Sequence, residues 1–546
     1  MRYFRTPKLV VLCLLGTVIF LVSSSSIDIE VALASRGVNV STSSVLDTNL
    51  EKSTVTRCPI ACGRLNKLYS DERVLFPGIA RCVNITASYW SLQQEEIRPS
   101  CVFVPAVDSD VSILVLLAQL TAGPYAVKCG GHAAFAGASS SPGGITVALH
   151  DLNEVTLSHD RRIATVGSGY IWEHVYAALE PYGLAVVGGR LTDPGVGGLI
   201  TGGEISFYSN LYEWALDNVE SFEVVIASCK SIAASETSHP DLYWALRGGG
   251  NNFGNVTKFH LRKIPSALMR SNTRIIAEGC FPNAIRAFMA VASKAHNDGH
   301  VQQWLAFSQT NGTPTAMAER TYTQATTDAD ADAEPPIFSQ YSEITTLLNT
   351  AHTTTLREYA TNISAANPRG HRELYWNLSF RHVTEEFMAW AVRHFFALQY
   401  VLDEIPGVMA ALIVQVITEA VLRAMTRGGG NALGLDTDGG ELYILHVACY
   451  WDRAADDVEV YRFFHDYFDM VEAEAKKKGM SNDFVYMGHA SQFQDKRLRK
   501  IANWYDPDGV YQMLQPGYFK LDGPRSEIFS PHPPSRQCHF WGDRSR

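Results

Sequence analysis

From Val102 to Pro265 the chain alternates short apolar runs with stretches of helical spacing. Val102-Phe103-Val104, Tyr125–Lys128, Ile145–Leu149, Ile163–Val166, Ala185–Val187 and Phe222–Ala227 predict strands, and Val256–Leu261 closes the series with period-two alternation. Between them Val111, Leu114, Val115 and Ala118 recur at helical spacing behind Ser109, a candidate cap. Trp172–Leu179 and Asp241–Leu246 predict further helices. Beyond residue 267 the glycine-rich turns thin out. Residues 384–400 and 406–426 predict long amphipathic helices, Gly428-Gly429-Gly430 breaks them, and Glu441–Trp451 predicts a strand. A last helix from Val458 to Lys478 carries acids early and Lys476-Lys477-Lys478 at its end, which suits the helix dipole. The pattern is α+β, with no internal repeat.

A chain of 546 residues exceeds one ordinary core, so two or three domains are expected. A net charge of −10 argues against nucleic acid and anionic membrane surfaces as partners. Arg2, Arg5 and Lys8 precede an apolar stretch, Leu9–Val22, and Ala32-Leu33-Ala34 fits a cleavage site before Ser35. This predicts a secretory signal over 1–34, with a secreted product that has no membrane anchor after its removal. Residues 35–57, rich in Ser and Thr, predict a flexible leader. Cys58, Cys62, Cys82 and Cys101 cluster near the start and are candidates for two disulfides, with three pairings open. Asn39, Asn84, Asn311, Asn362 and Asn377 head glycosylation sequons; the sequon at Asn255 lies in a glycine-rich segment expected to be buried. Residues 326–336 form an acidic, proline-ended loop, read as solvated rather than metal-binding. No Cys or His spacing predicts a metal site.

Two glycine clusters carry the candidate chemistry. Lys128-Cys129-Gly130-Gly131-His132-Ala133 follows an apolar strand. Gly188-Gly189-Arg190-Leu191-Thr192-Asp193-Pro194-Gly195-Val196-Gly197-Gly198 leads to Gly202-Gly203. Such turns expose backbone N–H groups to a phosphate, and His132 is set next to whatever they grip. A nicotinamide fingerprint is absent: Gly195–Ile200 and Gly248–Phe253 both lack the last glycine of GxGxxG, and no GxxxxGK[S/T] occurs.

These segments, taken together, resemble the berberine-bridge-enzyme-like flavoproteins of the PCMH-type FAD-binding superfamily, to which vanillyl-alcohol oxidase belongs; the fungal secreted members look most similar. The resemblance rests on Pro105–Ser109 with Val111, the 130–132 turn, Asp151-Leu152, the 186–198 loop, Asp217-Asn218-Val219, the block His239–Gly254, Tyr505–Val510 and Pro516-Gly517. It spans residues 60–525. It implies FAD bound between two α/β lobes, with a third lobe, an antiparallel sheet flanked by helices, over the isoalloxazine. It further implies a covalent bond from His132 to the flavin 8α-methyl. Lys128, Cys129, Gly130, Gly131, Ala133, Gly188, Asp193, Gly195, Val196, Gly197, Gly198, Gly202, Gly203, Ile205, Asn218, Val219, Gly250, Asn251 and Gly254 are the other cofactor-binding positions that the resemblance points to. Leu191 stands where some members attach a second time through cysteine, so His132 is the expected single tether. Glu204 stands where a third glycine is common, Pro194 where a small aliphatic residue is usual, and Asn255 where an apolar one is. Tyr486 and His489 occupy the catalytic Tyr-x-Asn-Tyr segment, with histidine in place of the second tyrosine; a histidine accepts protons near neutral pH.

The implied activity is oxidation of a small organic substrate, a fungal secondary metabolite, by hydride transfer to flavin with molecular oxygen as reoxidant. An extracellular oligosaccharide oxidase and a flavin-binding protein without turnover are the alternatives. The expected domains are a leader with the start of the FAD lobe (35–96), the FAD-binding domain (97–267), the substrate domain (268–474), a returning C-terminal segment (475–525) and a tail (526–546).

Overall fold

The computed structural model describes residues 58–310, 312–324, 334–492, 494, 505–506, 509–515, 517 and 519–521. The expected signal, leader and tail, the sequons at Asn39 and Asn311, and most of the acidic loop lie outside them.

The described strands form three sheets. In the first, Cys101–Phe103, Ile145–Ala148 and Tyr125–Lys128 run parallel, with Val74–Leu75 antiparallel at the edge. Parallel strands are covered on both faces, and these are short and almost wholly apolar. The helix Asp108–Thr121 packs on the helix Cys58–Arg73 and on the strands Val219–Val225 and Ser231–Ser235. Its start lies one residue before the expected cap: Ser109 sits inside the first turn, while the Asp110 carboxylate accepts the Ala106 and Val107 N–H groups at 2.9 and 3.0 Å. The second sheet is antiparallel, in the order Val155–Leu157, Ile163–Gly167, Asn255–Pro265, Val219–Val225, Ser231–Ser235, and Leu184–Val186 pairs with the far end of Asn255–Pro265.

The third sheet has eight antiparallel strands. Its centre runs Val301–Thr310, Met409–Ile417, Leu442–Trp451, Arg372–Phe380. The helix expected over 406–426 is therefore a strand followed by the short helix Glu419–Ala424. The physical reason is position. Met-Ala-Ala-Leu-Ile-Val-Gln-Val-Ile is a central strand buried on both faces, so it lacks the alternation that marks a half-exposed strand. The helix Glu385–Leu398 does form, with Thr384 Oγ1 accepting the Phe387 N–H at 3.2 Å and Glu385 and Glu386 in the first turn. Asp457–Lys477 buries Val460, Phe463, Phe464, Tyr467, Phe468, Val471 and Ala475 along one stripe. These two helices and Phe281–Lys294 supply much of the apolar core on one side of the sheet.

Two expectations about surface chemistry change. Cys62 and Cys101 are joined in a disulfide, but Cys58 and Cys82 are not: Cys58 Sγ lies 3.7 Å from the Pro124 carbonyl, and Cys82 packs with Leu75, Val102 and Val104. Asn377 cannot accept a glycan in the folded chain. It is 0% exposed and its amide is fully engaged (see below). Asn84 and Asn362 are exposed. Asn255 is buried and donates to the Tyr125 hydroxyl at 3.2 Å. Among the described residues, no helix is long and apolar enough to cross a membrane.

Glu373, next to the site on strand Arg372–Phe380, is buried, and its Oε1 has no hydrogen-bond partner. Burial pushes its carboxyl up to about 9. Its folded pKa exceeds the unfolded one, so the folded state holds the extra proton, and stability falls as pH rises from about 4.3 toward 9. Glu373→Gln is expected to remove that slope. The gain in unfolding free energy over the parent, read by denaturant titration, grows with pH to roughly 2 kcal/mol or more at pH 8.

Candidate active site

A cavity of about 240 Å³ lies where the two glycine clusters meet the eight-stranded sheet. Its floor is the turn Cys129–Ala133 together with Gly195, Gly197 and Gly198, and Gly250, Asn251 and Gly254 close one flank. The clusters touch so closely that neither tolerates a side chain: a methyl on Gly130 would run into Gly195 N, and one on Gly195 into Cys129 Sγ. Gly131, at φ 71°, turns the chain so that His132 faces the cavity. Gly198 faces open space. Cys129 is structural here: its thiol donates to the Ser168 carbonyl at 2.7 Å, and burial pushes its pKa up.

His132 is clamped from two sides. Its ring stacks on Trp90, with centroids 4.3 Å apart and planes 8° from parallel. Its Nε2 lies 3.6 Å from Asp193 Oδ2. Asp193 is itself fixed: Ser364 Oγ donates to Oδ1 at 2.8 Å and Arg369 reaches Oδ2 at 3.2 Å. Burial alone would raise the Asp193 carboxyl, but His132, Ser364 and Arg369 together hold it well below the usual carboxylate range. It is thus a permanent anion beside the imidazole.

The stack continues. Trp90 lies on Tyr375 (5.5 Å, 15°), Tyr375 meets His489 (5.3 Å, 34°), and His489 stacks on His446 (4.2 Å, 24°). Five rings from five separate parts of the chain thus run from the glycine turn to the large sheet. Tyr486 and His489 both line the cavity. Asn377 positions them: its Nδ2 donates to the carbonyls of Tyr486 (3.1 Å) and His489 (2.8 Å), and its Oδ1 accepts the Tyr486 N–H at 3.0 Å. Burial and the Arg190 guanidinium push the His489 imidazole down to about 3. It is therefore a neutral ring at physiological pH and a weak proton acceptor. Of the strand residues weighed with it, His446 joins this wall, Tyr443 packs in the helix-covered core, and Tyr450 meets His371 (4.8 Å).

Most of the remaining sequence-derived positions support the cavity without lining it. Lys128 lies over the Tyr89 ring at 4.8 Å. Gly188 leaves room for Trp172, and Gly203 for Trp214 and Tyr486. Val196 and Ile205 are core residues, and Gly202 ends the helix Val196–Gly202. Asn218 donates to the carbonyls of Tyr212 and Trp214, and Val219 opens a strand. Leu191 and Pro194 line the cavity. Trp90, Ser168, Arg190, Glu204, Tyr375 and Gln515 were not singled out as site residues by sequence reasoning. Glu204 alone carried a signal, as a charge interrupting a run of glycines.

The site suits a large, polar, partly aromatic cofactor. His132 Nε2, Ser168 Oγ, Glu204 Oε2, His489 Nδ1 and Gln515 Oε1 are buried without a protein hydrogen-bond partner, and all five residues line this one cavity. Most buried polar atoms in proteins are paired, so five at one place call for a ligand with donors and acceptors.

Comparison with known proteins agrees with this geometry. A family model described as an FAD binding domain matches residues 99–235. The chain is 34% identical over 497 residues to the FAD-dependent monooxygenase FUP4 of Fusarium proliferatum, covering 85% of this chain and 94% of that protein. Its fold is similar to that of 6-hydroxy-D-nicotine oxidase from Arthrobacter nicotinovorans (TM-score 0.66, 17% identity, 82% of this chain and 97% of that one). It is also similar to the glucooligosaccharide oxidase of Acremonium strictum, whose FAD is 6-S-cysteinyl and 8α-N1-histidyl (TM-score 0.63, 16% identity, 80% and 94% covered).

Proposed function

The chain belongs to the FAD-linked oxidoreductases with a PCMH-type FAD-binding domain, and from that premise we propose that it is a secreted oxidase of small organic molecules with its flavin tethered through His132 alone. The observation that carries this reading is the cavity itself, in which a carboxylate-clamped histidine on a glycine turn faces a wall of aromatic rings from the large sheet.

Bound FAD supplies a two-electron acceptor for the substrate. The chain's own residues do the rest. Gly130, Gly131, Gly195, Gly197 and Gly198 let backbone come close to the cofactor. Asp193 sets a fixed anion 3.6 Å from the His132 imidazole, which stabilises positive charge on the ring that would carry the tether. Leu191 puts an unreactive side chain where a second bond would need a thiol. Tyr375, Tyr486 and His489 form the substrate wall and exclude water from it. The apolar stretch with its small-residue cleavage pattern, the Cys62–Cys101 bridge and the exposed sequons at Asn84 and Asn362 support passage through an oxidising secretory compartment. A fungal secondary metabolite is the proposed natural substrate.

The test is anaerobic mixing of the purified yellow protein with benzyl alcohol, cellobiose or 6-hydroxy-D-nicotine, followed by admission of air. At least one donor is expected to bleach the flavin, and air to restore it with one hydrogen peroxide per turnover. A second reading follows from the name of the relative at 34% identity: a monooxygenase. Bleaching by NADPH and by none of the three donors, with an oxygen atom appearing in the product, would favour it. Colour that no donor and no NADPH bleaches would leave a flavin-binding protein without turnover.

A further inference from the structure

Glu204 is a buried carboxylate in a place built for glycine. It follows Gly203 and sits at φ 69°, in the left-handed region that glycine enters without steric cost. It is 5% exposed and lines the cavity, and its Oε2 has no hydrogen-bond partner. Glu373 also keeps an unpartnered oxygen but does not line this cavity, and two further buried carboxylates are fully engaged. Glu319 accepts from Thr273 and Tyr359, and Asp110 from Arg73 and two backbone N–H groups. A carboxylate held in a strained backbone conformation with an oxygen left for the cavity is what a structural role does not require.

We propose that Glu204 is the proton acceptor of the oxidation, and that the substrate is accordingly an alcohol or amine that loses an O–H or N–H proton together with a C–H hydride. This rests on the oxidase reading above. In the step, the substrate's O–H or N–H proton passes to the Glu204 carboxylate and the freed electron pair forms the C=O or C=N bond. The adjacent C–H hydrogen leaves with its two electrons to the bound FAD. Reoxidation by O2 to hydrogen peroxide consumes one proton beyond that hydride, which is the proton Glu204 has stored.

The groups around Glu204 fit this role. Arg190 on the second glycine loop, itself a lining residue, is its charged neighbour. Tyr176 of the helix Trp172–Leu179 lies nearby, with its hydroxyl committed to the Gly189 carbonyl at 2.5 Å. Tyr208 follows on the same segment, and Tyr486 packs against Gly203. Burial pushes the Glu204 carboxyl up to about 8, with Arg190 opposing. His489, another Brønsted group of the cavity, is pushed down to about 3, too weak a base to take an alcohol proton.

The test uses the flavin-loaded protein and its Glu204→Gln and Glu204→Gly variants. Glycine suits the left-handed backbone, so the second variant folds even where the first does not. In the parent, anaerobic bleaching by the donors named above should climb about 10-fold from pH 7 to pH 9, following the ionised fraction of a group near 8. Both variants should keep their flavin, bleach at least about 100-fold more slowly at pH 9, and lose the climb. Infrared titration gives a readout without substrate: the parent-minus-variant difference should hold a protonated-carboxyl band that disappears between pH 7 and 9, the band of Glu373 being common to all three proteins and cancelling. Parent-like rates with the climb intact in a variant would overturn the assignment while leaving the oxidase reading standing. A parent protein that no donor bleaches fails the oxidase reading instead. The infrared band then decides the carboxyl alone, and a Glu204 ionised throughout pH 6–9 overturns its part.

Discussion

In the His132→Ala protein, acid precipitation is expected to leave the yellow colour in the supernatant, whereas the parent chain carries it into the pellet. The expectation follows from the clamp. Asp193 lies 3.6 Å from Nε2 and is kept ionised by His132, Ser364 and Arg369, so a fixed anion stands beside the ring that lines the cavity. The two glycine clusters offer no substitute: Leu191 has no nucleophile, and the Cys129 thiol is buried, raised in pKa and committed to the Ser168 carbonyl. The loss of covalent flavin should be complete. Free FAD should still bind through the glycine turns, since Gly130 and Gly195 keep their contact. The measurement is flavin absorbance in pellet and supernatant, with peptide mapping of the parent to place the flavin on the segment holding His132. Colour retained in the alanine variant's pellet would place the bond elsewhere.

Trp90→Ala should have the largest effect on stability, about 3–5 kcal/mol by denaturant titration. Trp90 is 3% exposed and stacked between His132 and Tyr375, so its removal opens a void between the glycine turn and the large sheet. Two consequences should separate from a simple loss of packing. His132 loses one of its two clamps, so the covalently bound fraction of flavin should fall even in chains that remain folded. Trp90→Phe, which keeps a ring in the gap, should recover most of both. A Trp90→Ala protein with full stability and full covalent flavin would remove the stack from any role.

The FAD-binding half of the molecule was well marked in the chain, because its glycines answer to steric demands that no other residue meets. Gly130 and Gly195 have no room for a methyl group, and Gly131 takes a positive φ. Strands such as Tyr125–Lys128 and Ile163–Gly167 were bounded by turns and fell close to their expected limits. Met409–Ile417 was misread because a strand buried on both faces has no period to detect. The site showed the same division. His132 announced itself by its neighbours in sequence. Trp90, Tyr375 and Gln515 could not, since their meaning comes from strand register and long-range packing. Asn377 even pointed the wrong way: its sequon suggested an exposed glycan, but its amide sits at 0% exposure holding the turn that bears Tyr486 and His489.

The walls of the cavity are gathered from as early as Val127 and as late as Gln515. The last of these is sewn in by hydrogen bonds on either side of it: the Leu514 carbonyl accepts the Tyr125 N–H at 2.6 Å, the Tyr511 hydroxyl donates to the Val225 carbonyl at 2.6 Å, and the Asn252 side-chain amide donates to the Phe519 carbonyl at 2.9 Å. A nascent polypeptide still lacking those closing residues has no finished chamber to offer. Cofactor capture therefore waits until those closing residues have been made.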